Sequence, residues 1–143
     1  MKTLKYQKLS KFAFDPERAH RGDSGIDVFS PKDYVVKGRE DILIPLDLRF
    51  EIKEGFDLSV YNKSGVSTKK KLFKGAELID FPYRGNCHVH LFNFSDKDVE
   101  IKRGDKIAQL VLRPVILCDL IEGEISIDTD RGEGGFGSTG DKK

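Results

Sequence analysis

The stretch Asp47-Leu48-Arg49-Phe50-Glu51-Ile52 alternates charged and apolar residues without a break. An alternation with a period of two places every apolar side chain on one face of a β-strand and every charged side chain on the other. The same pattern returns over residues 57–61, where Leu58 and Val60 are flanked by Asp57, Ser59 and a tyrosine. Both stretches therefore predict strands with one buried face.

Six other stretches have the apolar content and the spacing of short strands, and turn residues separate them. They are residues 24–30, 34–37, 42–46, 87–95, 107–112 and 124–127. Residues 64–72 give a weak helical signal, because Gly65, Val66 and Thr68 are poor helix formers. Many short strands at this spacing predict an all-β domain, such as a sandwich, a jelly roll or a barrel.

The size and charge of the chain narrow its function. Its 143 residues suit one domain, and 25 basic residues against 24 acidic ones give a formal net charge of +1. Proteins that hold a polynucleotide by its phosphates carry a clear basic excess, so we expect no such partner. A small anionic ligand is compatible with this charge balance, because a few local cations are enough to bind it.

The sequence also indicates where the protein works. It has no apolar run of about 18 residues, so we expect no membrane span and no membrane partner. Residues 1–6 lead into no apolar segment, so we expect no secretory signal. Cys87 and Cys118 form no C-x-x-C pair, which favours a reduced compartment. We expect a cytoplasmic protein, or one inside a host cell if its source is viral, with an organelle or the nucleus still open.

Glycine is concentrated near the C-terminal end. Of 14 glycines, five lie in residues 132–140, after the hydrophobic pattern stops near Asp128. A disordered tail explains this composition. An arm that closes over a ligand explains it too, because Arg131 offers a planar fork for phosphate and Phe136 is a large ring in a stretch that otherwise buries nothing. The Gly-x-Gly-x-x-Gly letters at 132–137 lack the strand and helix of a dinucleotide site.

Two short segments carry candidate chemistry. Asp80 lies in the turn Ile79-Asp80-Phe81-Pro82-Tyr83-Arg84-Gly85, where an Asp near a Pro commonly caps a turn but can also position a water. Lys63-Ser64-Gly65 precedes the predicted helix, whose free N–H groups would bind an anion. A loop with Ser64 as its N-cap is the plainer interpretation of the second segment.

Two strand segments carry polar side chains for which packing and ligand binding are both compatible interpretations. Gln109 lies between Ile107 and Val111 on one strand face, so it either bonds internally or faces a ligand. His88 and His90 share a strand face, but a metal site needs three or four ligands. Because no further ligands stand at a suitable spacing, we expect packing or surface histidines and no zinc site.

Five motifs, in order along the chain, resemble those of the trimeric deoxyuridine triphosphatases, or dUTPases. They are Gly25-Ile26-Asp27-Val28, Lys63-Ser64-Gly65-Val66, Leu78-Ile79-Asp80-Phe81-Pro82-Tyr83-Arg84-Gly85-Asn86, Arg103-Gly104-Asp105-Lys106-Ile107-Ala108-Gln109-Leu110 and Arg131-Gly132-Glu133-Gly134-Gly135-Phe136-Gly137-Ser138-Thr139-Gly140. The third and fifth are highly specific and the fourth fairly so. The resemblance covers most of the chain.

The resemblance implies an all-β, jelly-roll or β-barrel subunit over residues 1–127, with at most one short helix. Residues 128–143 would form a flexible glycine-rich C-terminal arm. The implied assembly is a homotrimer with interfacial active sites, each closed by an arm from a neighbouring subunit. The implied reaction is dUTP plus water giving dUMP plus pyrophosphate, with Mg²⁺ as cofactor. This reaction would keep uracil out of DNA and supply dUMP for thymidylate synthesis.

The resemblance also implies roles for single residues. Asp80 would hold and deprotonate the water that attacks the α-phosphorus, because such transfers depend mostly on positioning and charge stabilisation. Tyr83 would pack on the deoxyribose and exclude a 2′-hydroxyl. Asp27 would face the metal through water, since Mg²⁺ needs few protein ligands. Arg131 would clamp the γ-phosphate, and Phe136 would stack on uracil, which is worth about 1–3 kcal/mol.

The other implied substrate contacts fall into three groups. The phosphate group consists of Lys63, Ser64, Gly65 and Gln109. The uracil group acts through backbone atoms and consists of Glu77, Leu78, Ile79 and the hairpin around His88. The arm adds Gly137.

Three residues depart from the family pattern. Lys63 replaces an Arg and loses a bidentate fork, which puts phosphate affinity in doubt. Glu77 replaces a Gly and would be strained if the backbone there needs a positive φ. Pro82 stands where a second acid is common, so the support of that acid is absent.

Two other functions are compatible with a related fold. A dCTP deaminase would need its own acid for ring chemistry, and the fifth motif matches the hydrolase better. A non-catalytic interaction module would not need Asp80 or the arm, and both are intact. The dUTP hydrolase is therefore the prediction.

Overall fold

The computed structural model describes residues 3–135, and the regular structure in this part of the chain consists of short strands and one short helix. The elements are β1 (Lys5–Lys8), β2 (Ile26–Phe29), β3 (Tyr34–Val36), β4 (Asp41–Pro45), β5 (Leu48–Glu51), β6 (Phe56–Tyr61), α1 (Ser64–Lys70), β7 (Leu72–Lys74), β8 (Leu78–Ile79), β9 (His88–Asn93), β10 (Val99–Ile101) and β11 (Lys106–Pro114). The predicted all-β, jelly-roll-like fold with one short helix is confirmed. Within residues 3–135, no helix has the length and apolar character needed to cross a bilayer.

The strands pair antiparallel in four small sheets. One sheet has the order β2-β11-β6-β8 and another the order β4-β9-β7, while β1-β5 and β10-β3 are two-stranded. Strand β11 is the longest and pairs with both β2 and β6. Gln109 on β11 therefore lies opposite Asp27 on one side and Tyr61 on the other. This register brings three of the five motifs to one end of the sheet.

The core lies where the alternating pattern predicts it. In β5, Leu48 and Phe50 are buried while Arg49 and Glu51 are exposed. The fully buried aliphatic side chains from the two larger sheets include Val28, Ile44, Leu58, Val60, Leu91 and Leu110. Each such side chain stabilises the fold by about 1.5–3 kcal/mol relative to an exposed one.

The structure differs from the sequence prediction at the helix and in the shortest strands. Helix α1 begins at Ser64, but it ends before the predicted residue 72 because Lys71 takes the left-handed conformation with φ 56°. The N-cap is Lys63 and not Ser64. Strands β1, β7 and β10 were not predicted; they have three or four residues each.

The predicted strand over residues 124–127 is wrong. Regular structure ends at Pro114, and 115–135 contain no strand. The alternation there has no partner strand among the residues the structure describes, so its apolar side chains stay exposed, 86% for Ile125 and 66% for Ile127. A strand pattern needs a neighbouring strand to bond with.

Candidate active site

A cavity of about 220 Å³ opens beside β8, the turn that follows it and the start of β9. Its walls include Asp80, Tyr83 and His88, together with residues 77–79. The structure thus brings together the predicted water-holding acid, the predicted sugar-packing ring and the whole predicted uracil group. Pockets for small molecules usually measure about 300–1,000 Å³, so this cavity has room for part of a nucleotide.

Asp80 stands at the end of β8 and opens a tightly bonded turn. The Tyr83 amide donates to the Asp80 carbonyl at 3.1 Å. The Arg84 guanidinium donates to the carbonyl oxygens of Phe81 and Tyr83 and, at 3.4 Å, to that of Ile52. The Asp80 side chain is exposed and makes no hydrogen bond or ion pair within residues 3–135. A fixed backbone therefore carries a carboxylate that is free to hold a water.

Tyr83 is held by a hydrogen bond and by a glycine. Its hydroxyl donates to the Asn86 carbonyl at 2.8 Å. A Cβ on Gly85 would lie 2.5 Å from the Tyr83 hydroxyl oxygen and 2.6 Å from Cζ, so only a glycine lets the ring take this position. Asn86 in turn accepts from the Leu48 amide at 3.2 Å and donates to Asp47 at 3.3 Å. These bonds join the Tyr83 turn to β5.

The backbone assigned to uracil runs along the edge strand β8. The Val60 amide donates to the Glu77 carbonyl at 2.8 Å, and Leu78 and Ile79 pair with β6. The described non-glycine residues with positive φ are Arg39, Asp47 and Lys71, so the Glu77 backbone carries no left-handed strain. Its carboxylate instead forms an ion pair with Lys74. The replacement of Gly by Glu is therefore accommodated without distortion.

The phosphate group gathers at the start of α1. Lys63 precedes the helix, and the amides of Ser64 and Gly65 have no hydrogen-bond acceptor in the part of the chain that the structure describes. A Cβ on Gly65 would meet nothing within 4 Å, so packing inside this subunit does not require a glycine there. Gln109 donates to the Asn62 carbonyl at 2.9 Å, one residue before Lys63. The predicted phosphate contacts are therefore neighbours.

Asp27 is a buried carboxylate between two lysines. Lys63 Nζ donates to one carboxylate oxygen at 2.9 Å, and Lys106 Nζ lies 2.7 Å from the other. Burial raises the pKa of Asp27, but the ammonium groups of Lys106 and Lys63 outweigh burial, and the net pKa is lowered. Lys106 also pairs with Glu17 at 3.1 Å. Lys106 was missed as a site residue although it stands inside the fourth motif.

These contacts limit how a metal could bind. Among residues 3–135, no three His, Cys, Asp or Glu side chains converge as metal ligands. Asp27 is the one predicted metal contact, and both of its oxygens already face ammonium groups. Mg²⁺ keeps several waters and relies on substrate phosphates. A Mg²⁺ would therefore have to reach Asp27 through water and take most of its other ligands from waters and substrate phosphates.

The arm residue Arg131 stands apart from both groups. Its Nε donates to the Gly134 carbonyl at 2.7 Å, and the Gly134 amide returns a bond to the Arg131 carbonyl at 3.0 Å. Phe136 and Gly137 lie outside the described residues. Neither Arg131 nor any member of the phosphate group lines the cavity. One subunit thus holds the predicted site in three separate parts, which are the cavity, the start of α1 and the loop of Arg131.

Two further residues, His90 and Asn62, touch the site and were not predicted to do so. His90 lines the cavity and pairs with Asp41, 49 positions away in sequence, at 2.8 Å. Asn62 accepts from Gln109 through its carbonyl and from the Lys74 amide through its side chain at 2.7 Å. No local pattern could have shown these contacts, because each joins segments far apart in the chain.

Comparison with known proteins relates the chain to one family. The family model described as dUTPase matches residues 12–140. A deoxyuridine 5'-triphosphate nucleotidohydrolase of Fowl adenovirus A serotype 1 is 42% identical over 137 residues, covering 96% of this chain and 77% of that protein. The dUTPase of Staphylococcus bacteriophage 80alpha, solved with dUpNHpp, superposes with a TM-score of 0.91 at 32% identity and covers 98% of this chain and 99% of that one. A mutant dUTPase from phage phi11 of S. aureus, in which a structural Mg(II) ion is coordinated, has a TM-score of 0.81 at 29% identity, covering 87% and 98%.

Proposed function

The chain belongs to the dUTPase family and is an enzyme that hydrolyses dUTP, and from this premise we propose that Asp80 activates the water that attacks the α-phosphorus. The observation that carries the proposal is the cavity that places Asp80 and Tyr83 beside the β8 backbone. The products are dUMP and pyrophosphate. The removal of dUTP keeps uracil out of DNA, and the dUMP that forms is available for thymidylate synthesis.

Asp80 acts as a general base in this mechanism. The water oxygen forms a bond to the α-phosphorus, the bond from that phosphorus to the bridging oxygen breaks, and pyrophosphate leaves. The proton of the water passes to the Asp80 carboxylate, which is exposed and has no partner within residues 3–135. Positioning and charge stabilisation supply most of the rate in such transfers, so one fixed carboxylate is sufficient as the base.

The cavity recognises the nucleoside. Tyr83 packs its ring on the deoxyribose and leaves no room for a 2′-hydroxyl, while backbone groups of 77–79 and of the hairpin at His88 meet the edge of uracil. A site whose polar groups would be left unpaired by the wrong base rejects it by roughly 10⁴–10⁵. The bonded turn from Asp80 to Gly85 supports this assignment, because it fixes the ring and the acid relative to each other.

The triphosphate binds at the start of α1. The free amides of Ser64 and Gly65 and the Gln109 side chain supply donors. Lys63 keeps its bond to Asp27 and offers its remaining protons to phosphate, since an ammonium has three donors. Asp27 would hold Mg²⁺ through a water, and the bound metal would neutralise phosphate charge. The structural Mg(II) ion in the phi11 enzyme supports the choice of metal.

The working enzyme is a homotrimer with its active sites at subunit interfaces. Within one subunit the phosphate group and Arg131 do not line the cavity, so a neighbouring copy has to complete it. The segment after β11 also exposes a row of aliphatic side chains, among them Ile116 (94%), Leu120 (94%) and Ile121 (89%). Exposed apolar patches of this kind mark protein contacts. The arm then brings Arg131 to the γ-phosphate, with Phe136 on the base and Gly137 beside it.

A product assay across dUTP, dTTP, dCTP and UTP tests the proposed function. We expect dUMP and pyrophosphate from dUTP alone. The proposed enzyme is cytoplasmic, and the reaction should need neither a polynucleotide nor a membrane. A uridine triphosphate made from dCTP, with no pyrophosphate from dUTP, would identify a deaminase instead. Asp80→Asn should abolish turnover and keep dUTP binding. The matched control is Asp96→Asn, an exposed carboxylate outside the cavity, which should retain full activity.

A further inference from the structure

His90 stands at the cavity wall with both of its ring nitrogens already engaged by the chain. It lies on β9, half-buried, and its Nε2 is 2.8 Å from a carboxylate oxygen of Asp41 on the adjacent strand β4. Its Nδ1 faces the Ala76 amide at 3.5 Å. Because neither nitrogen is free, His90 has no direct hydrogen bond to offer a substrate.

Asp41 determines which nitrogen carries the proton. An ionised carboxylate only accepts hydrogen bonds, so the imidazole proton lies on Nε2 and points to Asp41. Nδ1 then keeps its lone pair and accepts from the Ala76 amide. That distance is long for a hydrogen bond, but the ring is held in place independently. The Phe92 ring packs on the imidazole with centroids 4.6 Å apart.

Gly75 permits the close approach of this ring to the backbone. A Cβ at position 75 would lie 2.4 Å from His90 Nδ1 and 2.7 Å from a Phe92 ring carbon. The Gly75 amide also donates to the His90 carbonyl at 2.8 Å. The imidazole therefore rests on the backbone of residues 75 and 76, directly before the Glu77 backbone that leads into β8.

The segment from 74 to 77 has few other supports. The Lys74 amide donates to the Asn62 side chain at 2.7 Å, and the Val60 amide donates to the Glu77 carbonyl at 2.8 Å. Between these two anchors, the Gly75 amide donates to the His90 carbonyl and the Ala76 amide faces the imidazole, while an ion pair joins Lys74 to Glu77. The segment lines the cavity through Ala76 and Glu77. Of the contacts within this segment, the one that holds the Ala76 amide depends on the imidazole.

We propose that His90 and Asp41 are a positioning pair that holds the backbone of residues 75–77 at the part of the cavity that receives uracil. The pair thereby sets the affinity of the enzyme for the uracil of its substrate. This inference rests on the proposed function, in which the neighbouring backbone binds uracil. The effect falls on binding of the base and not on the step at phosphorus, because Asp80 lies on a turn that Arg84 holds separately.

The test separates the binding of uracil from the chemical step at phosphorus. His90→Val removes both ring nitrogens with a side chain that suits a strand. We expect KM for dUTP and the inhibition constant of dUMP to rise about tenfold, as for the loss of one or two hydrogen bonds. The kcat and the inhibition constant of pyrophosphate should stay within about twofold, since neither reports on the base. His90→Asn keeps an acceptor near the position of Nδ1 and should restore most of the affinity.

Asp41→Ala provides a second route that does not disturb the strand interior, because the Asp41 side chain is 54% exposed. It removes the group that selects the tautomer, and a rise in KM smaller than that of His90→Val is expected. Asp96→Ala is its matched control, since it also removes an exposed carboxylate from an ion pair, here with Arg39. The control should leave both KM and kcat unchanged.

The outcomes distinguish this inference from the proposed function. The proposal is overturned if His90→Val and Asp41→Ala leave the dUMP inhibition constant unchanged, or if dUMP and pyrophosphate weaken equally. Tyr83→Ala reports on the cavity itself. If Tyr83→Ala weakens dUMP but the His90 and Asp41 variants do not, the inference alone fails. If Tyr83→Ala also has no effect on dUMP, uracil does not bind in this cavity, and both fail together.

Discussion

Gly85→Ala tests whether the fixed position of the Tyr83 ring matters for catalysis. The new Cβ would stand 2.5 Å from the hydroxyl oxygen, whereas ordinary contact begins near 3.4 Å, so the ring must move by 3.4 − 2.5 = 0.9 Å. The hydrogen bond to the Asn86 carbonyl, now 2.8 Å long, does not survive that shift. Losing it costs about 0.5–1.5 kcal/mol. Misplacement of a substrate-contacting group by about 1 Å can cost up to about a hundredfold in rate.

We therefore expect kcat/KM for dUTP to fall by between about tenfold and a hundredfold. Stability should fall by no more than about 1.5 kcal/mol, because Tyr83 is on the surface and little packing is lost beyond that hydrogen bond. Steady-state kinetics and urea unfolding measure the two quantities. Gly22→Ala is the matched control, since a Cβ there meets nothing within 4 Å. A Gly85→Ala enzyme with kcat/KM within twofold of the parent would refute the role given to the Tyr83 ring.

Two further predictions concern the arm and the buried carboxylate. Deleting residues after Asp130 should leave the melting temperature and the assembly nearly unchanged, because Arg131 bonds only to its own loop within residues 3–135. The same deletion should strongly reduce turnover. An unaffected rate would show that the arm is a passive tail. Because the pKa of Asp27 is lowered in the folded protein, its ionised carboxylate stabilises the fold at pH values above the unfolded-state pKa of about 3.9. This stability is lost as the pH falls through the pKa of the folded state. Urea midpoints measured from neutral pH down to about pH 3 should thus fall less steeply for Asp27→Asn than for the parent, and equal slopes would contradict the assignment.

The sequence predicted those strands in which burial of one face imposes an alternating pattern. It did not predict strands that are exposed or very short. Leu48 and Phe50 alternate with charged neighbours because one face of β5 meets the core. All four residues of β1 are exposed and β8 has only two residues, so neither leaves a readable pattern. The opposite error occurred at residues 124–127, where alternation is present but no described strand pairs with it. The proposed trimer would explain that alternation, since a neighbouring subunit can supply the missing cover.

The candidate site could be predicted as a set of motifs but not as a set of contacts. The resemblance pointed to Asp80, Tyr83 and the 77–79 backbone, and the structure brings them into one cavity. The pairing of Asp27 with Lys106 depends on the register between β2 and β11. The pairing of His90 with Asp41 likewise depends on how β9 lies beside β4. Such contacts follow from the sheet arrangement, which no short stretch of sequence contains.

Hydrolysis in water enriched in oxygen-18 shows which phosphorus of dUTP the Asp80-bound water attacks. Attack of an Asp80-bound water on the α-phosphorus places the heavy oxygen in dUMP. Mass spectrometry of the products from a single turnover of dUTP locates the label. We expect one labelled oxygen in dUMP and none in pyrophosphate, with no turnover in Asp80→Asn. Label found in pyrophosphate would mean attack at the β-phosphorus and would contradict the mechanism.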